Sequence, residues 1–176
     1  MTAKFSSIII LLNRQHRSKG KELTMEEKFL ADSMLGRLAK WLRVLGYDTV
    51  YLRAHGSGSI EDIIREGRFF LSREKKLEYV YNNTIIIDAD CVGDQLTELK
   101  EKMSLLPDRS HWFTMCLICN TFLKNADPDE ARNNVPEYVF YSNLSEIRFC
   151  PSCIRYYWQG SHRKRMARQI EEWGFV

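Results

Sequence analysis

Two identical Cys-x-x-Cys pairs, Cys116/Cys119 and Cys150/Cys153, are separated by 30 residues in a chain of 176. A tight turn between cysteines at this spacing lets both thiolates face one ion, and two such turns complete a tetrahedral sulfur cage of the kind zinc prefers. Two disulfides, or four unrelated buried thiols, are the competing readings. A cage closed by four thiolates leaves no position for water or substrate, so the ion it held would be structural. The remaining cysteine, Cys91, stands alone and is expected to pack as a small apolar side chain. His111 is no better placed to replace a thiolate, because the four cysteines already fill the tetrahedron.

Carboxylates form the second group able to do chemistry, and the elements that must position them read as alternating strands and helices. Phe29-Leu30-Ala31 is a short buried strand, and Met34, Leu35, Leu38, Leu42 and Leu45 then recur at helical spacing until Gly46. Thr49–Leu52, Phe69–Leu71 and Thr84–Ile87 are further strands. Between and after them come a short helix with Ile60, Ile63 and Ile64, a brief one over Lys75–Tyr81, and a last one capped by Asp94 with Leu96, Leu99 and Met103. Such alternation predicts a mostly parallel sheet flanked by helices, and hence an α/β fold.

In an open parallel sheet the ligand crevice lies beyond the carboxyl ends of the strands. Asp32 directly follows the first strand, Glu74 lies just past the third, and Asp88 and Asp90 follow the fourth. Acids gathered there repel one another unless a cation or a shared proton intervenes, and oxygen-only ligands suit magnesium or manganese. A pair of such ions activates water and stabilises both oxygens of a phosphodiester displacement. The ordinary alternative is that these are turn and cap residues, with Asp32 capping the first helix.

Charge is distributed unevenly. Ile154–Val176 holds five Lys or Arg against two Glu, whereas Ser59–Ser110 holds eight basic and eleven acidic residues. An acidic centre beside a basic tail suits a nuclease, although a solvated helix face would look the same. In the tail, Tyr157, Trp158, His162, Arg163, Lys164 and Arg165 interleave rings that can stack on bases with cations that can pair with phosphates.

With 44% hydrophobic residues the chain can bury one moderate core plus a small metal-stapled module. No run of 18 apolar residues suggests a membrane span, and paired cysteines of this kind suit a reducing compartment, so a cytoplasmic protein is expected. Residues 1–28 read as a flexible extension rather than a signal peptide, since the apolar stretch Phe5–Leu12 precedes its basic residues; Met25 offers an alternative start.

The stretch from Phe29 to Asp48, FLADSMLGRLAKWLRVLGYD, resembles the opening of the mut-seven C-terminal (Mut-C) RNase domain family. Gly67–Glu74 resembles its second signature, an arginine and an apolar strand before Thr-Arg-Asp, and Asp94-Gln95-Leu96 resembles a later Gln-Leu element. The cysteine pairs, with Asn120 after Cys119 and Tyr157-Trp158-Gln-Gly-Ser-His162, resemble the zinc ribbon that closes the family domain. The resemblance implies a PIN-like fold over residues 29–110, a zinc ribbon with a basic tail over 111–176, and a metal-dependent ribonuclease site. Asp32 matches the leading aspartate and would be the central ligand for magnesium or manganese. Glu74 stands where the family usually has aspartate, and Ser72 where it has threonine. The family's acid before the second helix is replaced by Gly56–Ser59, with Glu61 and Asp62 just after. The expected catalytic set is thus Asp32 and Glu74, helped by Asp62 and one of Asp88 or Asp90, with Arg37 contacting RNA phosphate near Asp32. A non-catalytic RNA-binding adaptor and a zinc-stapled protein-interaction module are the alternatives.

Overall fold

The computed structural model describes residues 27–52 and 60–175. The expected extension, apart from Glu27 and Lys28, and the Gly56–Ser59 stretch lie outside the described residues. Four strands, β1 (Lys28–Ala31), β2 (Asp48–Tyr51), β3 (Phe69–Ser72) and β4 (Thr84–Ile86), form one sheet in the order β2-β1-β3-β4. All three pairings are parallel. Phe29, Leu30 and Ala31 have no exposed surface, as expected for a central parallel strand covered on both faces.

Three helices serve this sheet: α1 (Gly36–Val44), α2 (Ile60–Arg65) and α3 (Val92–Met103). α1 buries Leu38, Ala39 and Leu42 on one face and turns Arg37 and Lys40 to solvent, the amphipathic pattern of a helix lying on a sheet. It stops at Gly46, whose φ of +95° is left-handed. A Cβ there would meet the His111 carbonyl oxygen at 2.4 Å, so both the turn and the close approach require glycine. Met34 does not begin the helix. Residues Ser33–Leu35 form a separate 3-10 turn, because the Asp32 carboxylate accepts the Met34 N–H and tightens the chain first. Nor does Asp94 cap α3: the helix starts two residues earlier, after Cys91, and Asp94 sits in its first turn. Cys91 is exposed rather than packed, since it occupies the N-cap of a helix whose buried face begins at Gln95.

The cysteine-bearing part is a second sheet of three antiparallel strands, β5 (Lys124–Asn125), β6 (Arg148–Cys150) and β7 (Arg155–Tyr157). The stretch between β5 and β6 is not a loop but two short helices, α4 (Pro128–Asn134) and α5 (Glu137–Ser142). Asp127 caps α4 by accepting the Asp129 and Glu130 N–H groups at 3.0 and 3.1 Å, with Pro128 in the first turn. Ala131, Val135, Val139 and Ile147 make a small core there, against which Tyr156 and Trp158 pack.

The last helix, α6 (Ser161–Glu172), returns to the first sheet. Trp112, Met166, Ile170 and Phe175 belong to the same hydrophobic core as Phe29, Leu38 and Leu96. One core therefore runs across the expected boundary between residues 110 and 111. Trp41 is half-buried at the edge of this core, with its ring 4.7 Å from that of Trp173. Among the described residues no helix is long and apolar enough to cross a membrane.

Candidate active site and metal centre

The parallel register sets the catalytic candidates in rows. Ala31 pairs with Leu71, and Ser72 with Ile86, so Asp32 and Ser72 stand side by side where β1 and β3 end. Asp32 N donates to the Leu71 carbonyl at 3.0 Å, continuing the ladder one residue past the strand. The Asp32 carboxylate is then held from three sides. Its Oδ2 accepts Ser72 Oγ at 2.5 Å and Arg73 N at 3.3 Å, and its Oδ1 accepts Met34 N at 2.8 Å. Ser72 Oγ also accepts Glu74 N at 3.0 Å, so this hydroxyl ties the Asp32 carboxylate to the Glu74 backbone. The cap reading of Asp32 is realised through Oδ1, while Oδ2 is engaged by Ser72 and Arg73 at the strand ends.

The other acids each face a cation from their own neighbourhood. Glu74 pairs with Lys76, Asp88 with Lys75 at 3.2 Å, and Asp90 with Arg73 at 2.5 Å. Asp62 lies on α2, exposed, 3.0 Å from Arg65. Among the described residues no three of these carboxylates converge within ligand distance of one another. A closed oxygen cage is therefore not formed. Magnesium, which keeps several waters and is commonly held by one or two carboxylates plus substrate phosphate, does not require such a cage.

Two residues with no role assigned from the sequence, Gln95 and Glu98, hold the loop after β4 in place. Buried Gln95 donates its Nε2 to the carbonyls of Ala89 and Asp90, at 3.0 and 3.3 Å. Glu98 accepts the Asp88 and Ala89 N–H groups at 3.0–3.1 Å and pairs with Lys102 at 2.6 Å. Burial alone would raise its carboxyl, but Lys102 and the two N–H groups outweigh that and hold it below the usual range. Gln95, the Gln of the Gln-Leu element, thus holds the backbone at Ala89 and Asp90, and Glu98 holds it at Asp88 and Ala89. The spacing of Gln95, five residues after Asp90, is the signal that could have found it.

Cys116, Cys119, Cys150 and Cys153 bring their sulfurs within 4.8 Å of one another, all as free thiols. Two of the separations are 3.4 Å, Cys119 to Cys150, and 3.9 Å, Cys116 to Cys153. A tetrahedron with Zn–S bonds of 2.3 Å has edges of about 3.8 Å, so the cage has the size of a zinc site. Its electrostatics point the same way. Burial pushes the Cys119 thiol up, but hydrogen bonding with Thr121 and its neighbouring cysteines outweighs this and brings it down to about 5. Cys153, hydrogen-bonded to Cys119 and partly desolvated, is pushed up to about 12. One thiolate in the cage thus opposes the next, and a dication relieves that repulsion. These four sulfurs could hold a zinc ion.

The cage is fastened to the sheet. Buried Arg43 donates to the Thr49 carbonyl at 2.9 Å and to those of Leu117 and Ile118, inside the first Cys-x-x-Cys turn, at 3.0 and 3.1 Å. Asn120 accepts Thr49 N at 2.8 Å and donates to Asp48 at 2.5 Å, and Asp48 in turn receives both ends of the Arg68 guanidinium at 2.8 and 2.9 Å. Arg68, the arginine of the second signature, and Arg43, inside the first, therefore hold the ribbon and the sheet together.

The tail residues divide. Tyr157 places its hydroxyl 3.1 Å from Cys116 Sγ, and burial and that sulfur both raise its phenol, so it supports the cage. Trp158 packs on the small core, and the Arg163 guanidinium lies 4.8 Å above the Phe113 ring. Arg37, His162, Lys164 and Arg165 are exposed.

Searches of curated proteins and of solved structures returned no significant match. The Mut7-C RNAse domain, by contrast, matches residues 27–170, spanning both the strand-end acids and all four cysteines. The chain belongs to the Mut7-C RNAse domain family.

Proposed function

We propose that this protein is a ribonuclease that hydrolyses RNA phosphodiester bonds with a magnesium or manganese ion, and that its sulfur cage holds a structural zinc. The observation that carries the reading is the placement of Asp32, fixed between Ser72 Oγ and two backbone N–H groups at the carboxyl edge of a parallel sheet. A divalent ion at such an edge polarises a phosphoryl oxygen and lowers the pKa of bound water. Asp32 would hold it, with Glu74 and Asp88 from the adjoining strand ends. Each carboxylate retains lone pairs beyond those its present hydrogen bonds use. Ser72 fixes the direction of the Asp32 carboxylate, while Gln95 and Glu98 fix the loop that carries Asp88 and Asp90. Exposed Arg37, on the first turn of α1, would meet the RNA backbone beside Asp32. His162, Lys164 and Arg165 would extend that contact.

Purified protein should cleave single-stranded RNA in magnesium or manganese, and Asp32→Asn should abolish cleavage while RNA affinity stays within about twofold. Cleavage that survives the substitution contradicts the reading. A second reading, an RNA-binding adaptor without catalysis, is favoured by the pairing of Glu74, Asp88 and Asp90 with Lys76, Lys75 and Arg73. It predicts salt-sensitive RNA binding with no cleavage in either metal.

A further inference from the structure

A groove of about 390 Å³ lies where the ribbon meets α1. Its walls include Ile118 from the first cysteine turn, Ile154 from the second, Arg155, Tyr156 and Trp158 from β7 and beyond, and Lys40 from α1. Ile118 and Ile154 are 58% and 67% exposed, high for aliphatic side chains at the tips of two metal-binding turns that fold together. Neither turn requires an isoleucine to bind metal, because the cage uses only sulfur.

We infer that this groove is a docking subsite for a segment of single-stranded RNA, which runs from it along α1 to Asp32. The inference rests on the ribonuclease reading for its choice of ligand. Charge decides the class of occupant: apart from the phenols of Tyr156 and Tyr157, both ionisable groups lining the groove are cations, Lys40 and Arg155, and no carboxylate lines it. An unpaired base can lie on the faces of Ile118, Ile154 and Trp158, which every base tolerates, while Lys40 and Arg155 meet its phosphates. Duplex RNA presents no free base face to such a groove. The route to the strand-end acids is continuous in charge. Lys40 lies three residues after Arg37 on the exposed side of α1, roughly 4.5 Å further along its axis, and α1 itself starts four residues after Asp32. The subsite thus commits RNA at a distance from the cleaved bond.

The test uses fluorescein-labelled octauridylate, with EDTA omitted to keep the sulfur cage intact and calcium in place of magnesium, read by anisotropy across a salt series. Lys40→Ala with Arg155→Ala should weaken binding at least tenfold and reduce the log–log salt slope by about 1.4, at about 0.7 per phosphate contact on a single strand. Ile118→Ser should weaken binding with the slope unchanged, and Arg155→Lys should restore most of the loss due to Arg155→Ala. Stoichiometric zinc in every variant shows that the ribbon remains folded. Unchanged affinity and slope in the double variant would overturn the inference. So would equal affinity for duplex RNA, or a self-association that Ile118→Ser abolishes while leaving RNA binding intact, which would assign the groove to a second copy of the chain. Binding is read in calcium and cleavage separately in magnesium or manganese, so failure of the groove and failure of the cleavage reading are separable.

Discussion

Asp48 shows how much structure can depend on one carboxylate. It accepts both ends of Arg68, whose side chain is 8% exposed, and the amide of Asn120 from the ribbon. Burial alone would raise its carboxyl, but Arg68 and Asn120 outweigh that and hold it below the usual range. A depressed folded-state value means that this stability is present above the unfolded aspartate range, about 3.9, and is lost as pH falls through the folded value. Asp48→Asn should cost about 2–3 kcal/mol at neutral pH, less than the 3–5 of a fully buried pair because Asp48 is partly solvated. Chemical denaturation at pH 7 and at pH 3 checks this: the difference between parent and variant should shrink at the lower pH. An equal difference at both would show that charge is not what Asp48 contributes.

At the scale of elements, the sequence exposed what is periodic or chemically distinctive and hid what depends on partners far along the chain. The four strands and α1 were legible because their apolar runs are continuous and Gly46 ends the helix by its own conformation. The cage was legible because two Cys-x-x-Cys pairs are a distinctive metal-site spacing. The start of α3 was not, since Asp94 is an ordinary first-turn acid and the N-cap, Cys91, offers no side-chain bond. α4 and α5 were missed because their small core draws on Ile147, Tyr156 and Trp158, residues from the other side of the insertion. The ion pairs of Glu74, Asp88 and Asp90 were equally invisible, as basic neighbours in sequence read as solvated surface. The same distinction governs what a zinc in the cage would support. Cys150→Ser should release the single zinc and loosen β5–β7, because structural zinc contributes on the order of 10 kcal/mol, which the four buried residues of the small core cannot match. α6 should remain docked, since Met166, Ile170 and Phe175 bury side chains worth roughly 1.5–3 kcal/mol each against the sheet. Hydrogen exchange should therefore rise in 116–157 and stay low in 163–175; exchange rising equally in both would contradict this partition.

Across the whole molecule, the acids and the cage occupy different ends of one body. Asp32 lies at the carboxyl edge of the sheet, and Asp48, Thr49 and Arg43 fasten the ribbon near the amino end of β2. α1 spans the two, with its buried face in the core and Arg37 and Lys40 outward. On the ribonuclease reading the ribbon would hold substrate while the sheet edge acts on it. What remains decisive for that reading is an ion at the edge, which would have to displace lysine from Glu74 or Asp88. Anomalous scattering from crystals soaked in manganese measures this directly. The account predicts a peak bonded to Asp32 and to Glu74 or Asp88, with the Lys76 or Lys75 pair broken. Manganese bound elsewhere, or no peak while all three ion pairs persist, would contradict it.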